Sequence, residues 1–173
     1  MKNKIIKQLV VDAMLIALLV VSSFISIPIN QVPYTLQTLV VFIILILLDI
    51  KNSIIIFLIY LIMGLIGLPV FSGFSSGITP TLGFIIGFII SPFIYLINNK
   101  LLKIENNNIK IFINLLISLI IINISGCIFY MLIMNLDFIS SLIITILPYI
   151  LFDILKIIIA MIISNRIKFL FKN

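Results

Sequence analysis

Two opposite charges three positions apart, in an otherwise apolar segment, are the residues best suited to chemistry. Asp153 and Lys156 lie within the run PYILFDILKIIIAMIIS near the end of the chain. On a helix this spacing places both side chains on one face. A charge at bilayer depth costs about 2.5–3.5 kcal/mol on insertion scales, so such residues face protein or a water-filled cavity. We expect both to line one ligand cavity, and the alternative is a buried ion pair that only holds two helices in register.

A second polar cluster precedes the second apolar run of the chain. Pro28 and Pro33 prevent a continuous helix there, so the backbone should be extended until a helix starts near Thr35. Thr35, Gln37 and Thr38 then supply uncharged donors and acceptors, which suit a neutral polar ligand better than an ion. The alternative is an ordinary solvated loop in which Thr35 caps the helix.

Glycines are concentrated in the middle of the chain. Five of the seven lie between Gly64 and Gly83, together with two prolines. Non-helical backbone at membrane depth is tolerated where it is buried in protein or lines a cavity, so this connection is expected to form a lid. Gly83 and Gly87 form a GxxxG pattern that indicates close helix packing. Asn123 and Tyr130, in the fifth apolar run, are single polar positions that favour packing or interhelical hydrogen bonds.

Several kinds of chemistry are excluded by the residues that are missing. The chain contains no His and a single Cys, Cys127, which excludes Cys/His zinc sites, disulfide frameworks and an imidazole base. It also lacks a GxxxxGK[ST] loop, so any ATP would be hydrolysed by another subunit. An intramembrane enzyme that used Asp153 as acid or base would need a second catalytic group on a facing helix. We therefore predict no enzymatic activity, no metal and no cofactor.

Composition assigns the class of protein. The 173 residues are 64% hydrophobic and 9% charged, with a mean hydropathy of +1.46, whereas a soluble domain is about 45–50% apolar and about 25% charged. We predict an all-α membrane protein that forms a single integral membrane domain over residues 1–173. Its six-transmembrane-helix bundle has spans near 9–27, 36–48, 53–68, 82–97, 109–134 and 140–164.

The basic residues orient this bundle. Ten of the eleven Lys and Arg residues fall before span one, between spans two and three, between four and five, or after span six. The opposite connections contain none, so the positive-inside rule places both termini in the cytoplasm and the protein in the cell membrane. A nucleic-acid patch would not alternate in step with the apolar runs, so we expect lipid and not nucleic acid as a partner. Ala13 and Ala17, four apart on span one, form a small-xxx-small face that allows another helix to approach closely.

Four segments together resemble the BioY family. They are VPYTLQTL (32–39), YLIMGLIGLPVFSG (60–73), TPT-x-GF-xx-G (79–87) and P-xxx-xD-xxK (148–156), in the family's order and spacing over nearly the whole chain. BioY proteins are biotin-binding substrate components of energy-coupling-factor (ECF) transporters. The resemblance implies the six-helix substrate-component fold and biotin bound beneath the loops that join spans one to two and three to four. It also implies a transmembrane coupling protein and two cytosolic ATPase subunits as partners.

The resemblance also assigns roles to residues. Asp153 and Lys156 match the polar binding pair on the last helix, Thr35 and Gln37 match the first-loop motif, and Ala13 and Ala17 resemble the face that docks on the coupling protein. The chain departs from a GPTGG-like stretch, because it has Thr79 and Leu82 in place of two glycines.

The chemistry of biotin agrees with this assignment. Its ureido ring offers two N–H donors and one carbonyl acceptor, and a thioether ring and a carboxylate complete it. Asp153 is expected to accept from the ureido N–H groups and Gln37 or Asn123 to donate to the carbonyl. Lys156 is the only intramembrane cation, and whether it meets the ligand carboxylate or orients Asp153 stays open. The aromatic walls are expected from Phe71, Phe74 and Tyr130. Alternatives are another small vitamin as ligand, or a structural subunit of a membrane complex.

Overall fold

The computed structural model describes residues 2–27 and 32–171, with side chains at 5–27 and 32–168. The expected break at Pro28, and the side-chain charges of Lys2, Lys4 and Lys172, lie outside this part. Within it the elements are α1 (Lys2–Phe24), β1 (Ser26–Ile27), β2 (Tyr34–Thr35), α2 (Gln37–Leu47), α3 (Ile50–Leu65), a 3-10 turn (Ser72–Phe74), α4 (Leu82–Leu101), α5 (Asn107–Met134), α6 (Phe138–Thr145) and α7 (Ile150–Phe171).

The helices follow the predicted apolar runs, with one difference. The second and third runs form separate helices, because Asp49 caps the N-terminus of α3 by accepting from the Asn52 N–H at 3.2 Å. The sixth run, predicted as one span over 140–164, forms two helices, α6 and α7, which meet at a 50° bend. Pro148 lies in that break, where its ring removes a helix donor and blocks the preceding turn.

Three of the described helices are long and apolar enough to cross a membrane, namely α1, α4 and α5, and α6 with α7 makes a fourth if the bent pair is one span. α2 and α3 are apolar but shorter, with 11 and 16 residues. Six crossings and cytoplasmic termini therefore stay predictions.

Glycine decides how closely α4 and α5 pack. A Cβ on Gly83 would lie 2.3 Å from Phe129 Cβ, and one on Gly87 would lie 2.8 Å from Ile122 Cα. Both distances are shorter than contacts between carbon atoms allow, so the two helices approach as they do only because these positions lack side chains. The packing role expected for this GxxxG pair is confirmed.

The remaining helices bring the two polar clusters together. α2 packs along α7, and α1 packs on α2 and α3. The extended residues of β1 and β2 pair antiparallel, Ser26 with Thr35 and Ile27 with Tyr34, so the segment before α2 is held against the end of α1. These contacts place the start of α2 beside the start of α7.

Candidate ligand-binding site

A cavity opens at the end of the bundle opposite the basic connections. It encloses about 610 Å³ of empty space, counting its open mouth. Its walls come from the segment before α2, the 3-10 turn after α3, the N-terminal halves of α2, α4 and α7, one position of α5 and the bend between α6 and α7. The lining residues are Val32, Pro33, Tyr34, Thr35, Gln37, Thr38, Ser72, Thr81, Phe84, Ile85, Phe88, Asn123, Thr145, Tyr149, Asp153 and Lys156.

The two intramembrane charges lie together in the wall of this cavity. Lys156 Nζ is 2.9 Å from Asp153 Oδ1, and the two residues are only 4% and 5% exposed. Lys156 also donates to Thr38 Oγ1 at 2.7 Å, and Thr38 and Asn123 line the same cavity as Asp153. The two charges thus neutralise each other, as expected for an ion pair that holds helices in register. They also line a cavity, as expected for a ligand site.

An aromatic ring covers the ammonium group. Lys156 Nζ lies 3.7 Å from the centre of the Tyr34 ring, a distance at which a cation is attracted to the ring face. Tyr34 in turn stacks on Tyr149, with ring centres 5.6 Å apart. Burial, and then the neighbouring Asp153 carboxylate, raise the pKa of the Tyr34 phenol, so it stays protonated at neutral pH and is able to donate a hydrogen bond.

Uncharged groups at the start of α2 line the same cavity as the ion pair. Gln37 begins α2 and is almost fully buried. Its amide Nε2 donates to the hydroxyl of Tyr60, and its Oε1 accepts from the Thr35 hydroxyl at 3.2 Å. The Thr35 hydroxyl also accepts from the Gln37 backbone N–H at 3.4 Å. The Thr35 hydroxyl therefore accepts from the first backbone N–H of α2, as a capping side chain does, although Leu36 occupies the N-cap position.

The aromatic walls differ from the expected ones. Phe84, Phe88 and Tyr149 line the cavity, and the three residues proposed from the sequence do not. Phe71 is completely buried and meets the Tyr60 ring edge-on at 5.5 Å. Phe74 is 66% exposed and stacks on Phe24, with ring centres 4.2 Å apart.

Tyr130, the third of these residues, is buried in α5 without lining the cavity. In contrast, Asp153, Lys156, Gln37, Thr35 and Asn123 all line it. The structure thus brings together five of the eight predicted site residues. Their contribution to ligand binding stays a prediction.

The sequence held only partial signals for the residues that were missed. Tyr34 and Thr38 lie inside the run 32–39 already singled out, so proximity in sequence was a clue. Phe84 and Phe88 follow Gly83 and Gly87 directly and share one helical face. Among fourteen phenylalanines, nothing in their spacing separated these two from core residues.

The fold matches a solved membrane protein closely. It superimposes on the crystal structure of the S-component for biotin from an ECF-type ABC transporter with a TM-score of 0.87 and 28% identity, over 97% of this chain and 94% of the other. Fold and site thus define a multi-pass α-helical membrane protein with the fold of an ECF substrate component.

Sequence comparison narrows the class to one family. The family model described as BioY family matches residues 1–173, and the chain belongs to that family. A probable biotin transporter BioY of Pyrococcus horikoshii is 34% identical over 166 residues, which is 94% of this chain and 96% of that protein. The biotin transporter BioY of Thermotoga maritima is 38% identical over 92 residues, 51% of this chain and 54% of that protein. In that alignment the chain spans about half the length of its relative.

Proposed function

We propose that the chain is the biotin-binding substrate component of an ECF-type vitamin uptake transporter. The observation that carries the proposal is the composition of the one cavity wall that contains Asp153, Lys156, Gln37 and Asn123. A buried carboxylate, a cation and two amides face the same space as an apolar aromatic wall. Biotin needs acceptors for its ureido N–H groups, a donor for its carbonyl and apolar surface for its thioether ring.

The short distance within the ion pair constrains the pose. Because Lys156 and Asp153 are in direct contact at 2.9 Å, they cannot hold opposite ends of an extended ligand. We place both at the ureido ring, with Asp153 accepting from its N–H groups and Lys156 holding the carboxylate of Asp153 in position. The valeryl carboxylate then points to the mouth of the cavity, away from the ion pair.

An exposed face of α1 supports a docking site for a partner subunit. On α1, Ala13 and Ala17 are exposed among large apolar side chains such as Met14, which is 67% exposed. We propose that this face docks on the transmembrane coupling protein, which connects the chain to two cytosolic ATPases. In this assignment the chain binds and delivers its ligand and catalyses no reaction.

The direct test is binding of radiolabelled biotin to the purified chain in detergent, with unlabelled thiamine and riboflavin as competitors. We expect saturable binding that only unlabelled biotin displaces. Displacement by thiamine or riboflavin would show that the site is not specific for biotin, and the absence of saturable biotin binding would contradict the proposal.

A further inference from the structure

A chain of hydrogen bonds connects the cavity wall to the loop after α3. Gln37 Nε2 donates to the Tyr60 hydroxyl, and this hydroxyl lies 2.8 Å from the backbone carbonyl of Val70. Ser23 Oγ of α1 lies 2.7 Å from the same carbonyl and 2.7 Å from the Val20 carbonyl of its own helix, so its one hydrogen is shared between them. Tyr60 and Ser23 are completely buried. Side chains of α3 and α1 thus converge on one carbonyl in the loop, and α2 is connected to it through Tyr60.

The direction of every bond in this chain is fixed by the carbonyl at its end. A carbonyl oxygen only accepts, so Tyr60 must use its single hydroxyl hydrogen on Val70. The Tyr60 oxygen can then only accept, so the group of Gln37 that meets it must be the NH₂ and not the carbonyl. At the other end Thr35 donates to Gln37 Oε1, which agrees with the same orientation.

We propose that Tyr60 is a positioning residue that sets which end of the Gln37 amide faces the ligand. The NH₂ group has two hydrogens, and Tyr60 receives one of them. The second is the donor that meets the ureido carbonyl of the ligand. In the flipped orientation an oxygen would face that carbonyl, and two acceptors repel each other. This assignment rests on the proposed function, because it takes biotin as the ligand.

The loop supplies a rigid anchor for this arrangement. The Phe71 ring lies against Gly64, where an added Cβ would be 1.9 Å from the ring. Gly77 N–H donates to the Gly64 carbonyl at 2.9 Å, which ties the returning arm of the loop to the end of α3. Since the loop is held on both sides of Val70, the carbonyl that orients Tyr60 keeps its place.

The test is Tyr60→Phe, which removes the hydroxyl and keeps the ring that packs on Phe71. The freed Gln37 amide then adopts both orientations. We expect the dissociation constant for biotin to rise about tenfold, the effect of losing one buried hydrogen bond. We also expect the preference for biotin over 2-iminobiotin, whose cyclic guanidine presents N–H in place of the carbonyl, to fall about tenfold. Tyr95→Phe removes a tyrosine hydroxyl outside the cavity and should change neither quantity.

A second pair of variants separates positioning from general support of the fold. In a Gln37→Ala background, Tyr60→Phe should weaken biotin binding no further, because its effect passes through the missing amide. Gln37→Glu keeps the length of the side chain but carries only acceptors, so it should lower the preference for biotin over 2-iminobiotin even if Tyr60→Phe does not fold.

Two outcomes would overturn the inference and leave the proposed function intact. In the first, Tyr60→Phe binds biotin with the native dissociation constant and the native preference over 2-iminobiotin. In the second, Tyr60→Phe weakens biotin binding as much in the Gln37→Ala background as in the native chain. Failure of the native chain to bind biotin would overturn the proposed function itself.

Discussion

Lys156 lies 3.7 Å from the centre of the Tyr34 ring, so a cation of the last helix is covered by an aromatic side chain from the loop before α2. The two residues are 122 positions apart in the sequence, and neither apolar periodicity nor charge pattern connects them. The contact joins the two polar clusters that sequence analysis treated separately. It also gives the buried ammonium a partner besides Asp153.

Tyr34 should contribute to biotin binding through its aromatic ring and not through its hydroxyl group. We expect Tyr34→Leu to weaken biotin binding by about 1–2 kcal/mol, because a desolvated cation loses its attraction to the ring face. Tyr34→Phe should stay within a few tenths of a kcal/mol of the native chain. Titration of purified protein with biotin measures both. Equal losses in the two variants would instead assign the effect to the hydroxyl.

Breaking the ion pair should destabilise the bundle, and removing it entirely should not. Asp153→Asn or Lys156→Met leaves one buried charge without its partner, at a cost of about 3–5 kcal/mol. The double variant should regain most of the thermal stability but not biotin binding, as measured by thermal unfolding in detergent and by ligand titration. Lys168→Met, the same substitution at an exposed position of α7, is the matched control. Recovery of binding in the double variant would show that the pair is structural only.

The contact between Gly64 and Phe71 predicts a specific crowding effect. An added methyl group at Gly64 would lie 1.9 Å from the Phe71 ring, so Gly64→Ala should lower the free energy of unfolding by about 1–3 kcal/mol. Phe71→Leu removes the crowding atoms, so the double variant should be less destabilised than the sum of the two single variants. Thermal unfolding of the four proteins tests this. Simple additivity would mean that the ring moves away at little cost.

The docking face predicts a loss of assembly without loss of ligand binding. Ala17→Trp should reduce co-purification of the coupling protein, because a bulky residue in a close helix contact costs about 1–3 kcal/mol. Biotin binding should be unchanged, since Ala17 does not line the cavity. Ile120→Trp places the same residue on an exposed position of α5 and should assemble normally. If Ala17→Trp also assembles normally, the coupling protein docks elsewhere.

Helix positions were accessible from the sequence because they depend on local patterns. Long apolar runs and the GxxxG pair at Gly83 each act over a few residues, and they predicted the helices and the close packing of α4 on α5. The bend at Pro148 was missed even though its cause is local. Apolar residues continue on both sides of the proline, so the run read as a single span.

The sequence by itself determined that this chain is an apolar helical bundle with two opposite charges on one face of its last helix and a polar entry to α2. Those properties follow from composition and from spacing within single helices. Only the tertiary structure decided which aromatic rings face the cavity, because Phe84 and Phe71 are equally apolar and differ only in what packs against them. It also decided the orientation of the Gln37 amide, since that depends on a carbonyl more than thirty positions away, brought near by the packing of α3 against α1 and α2.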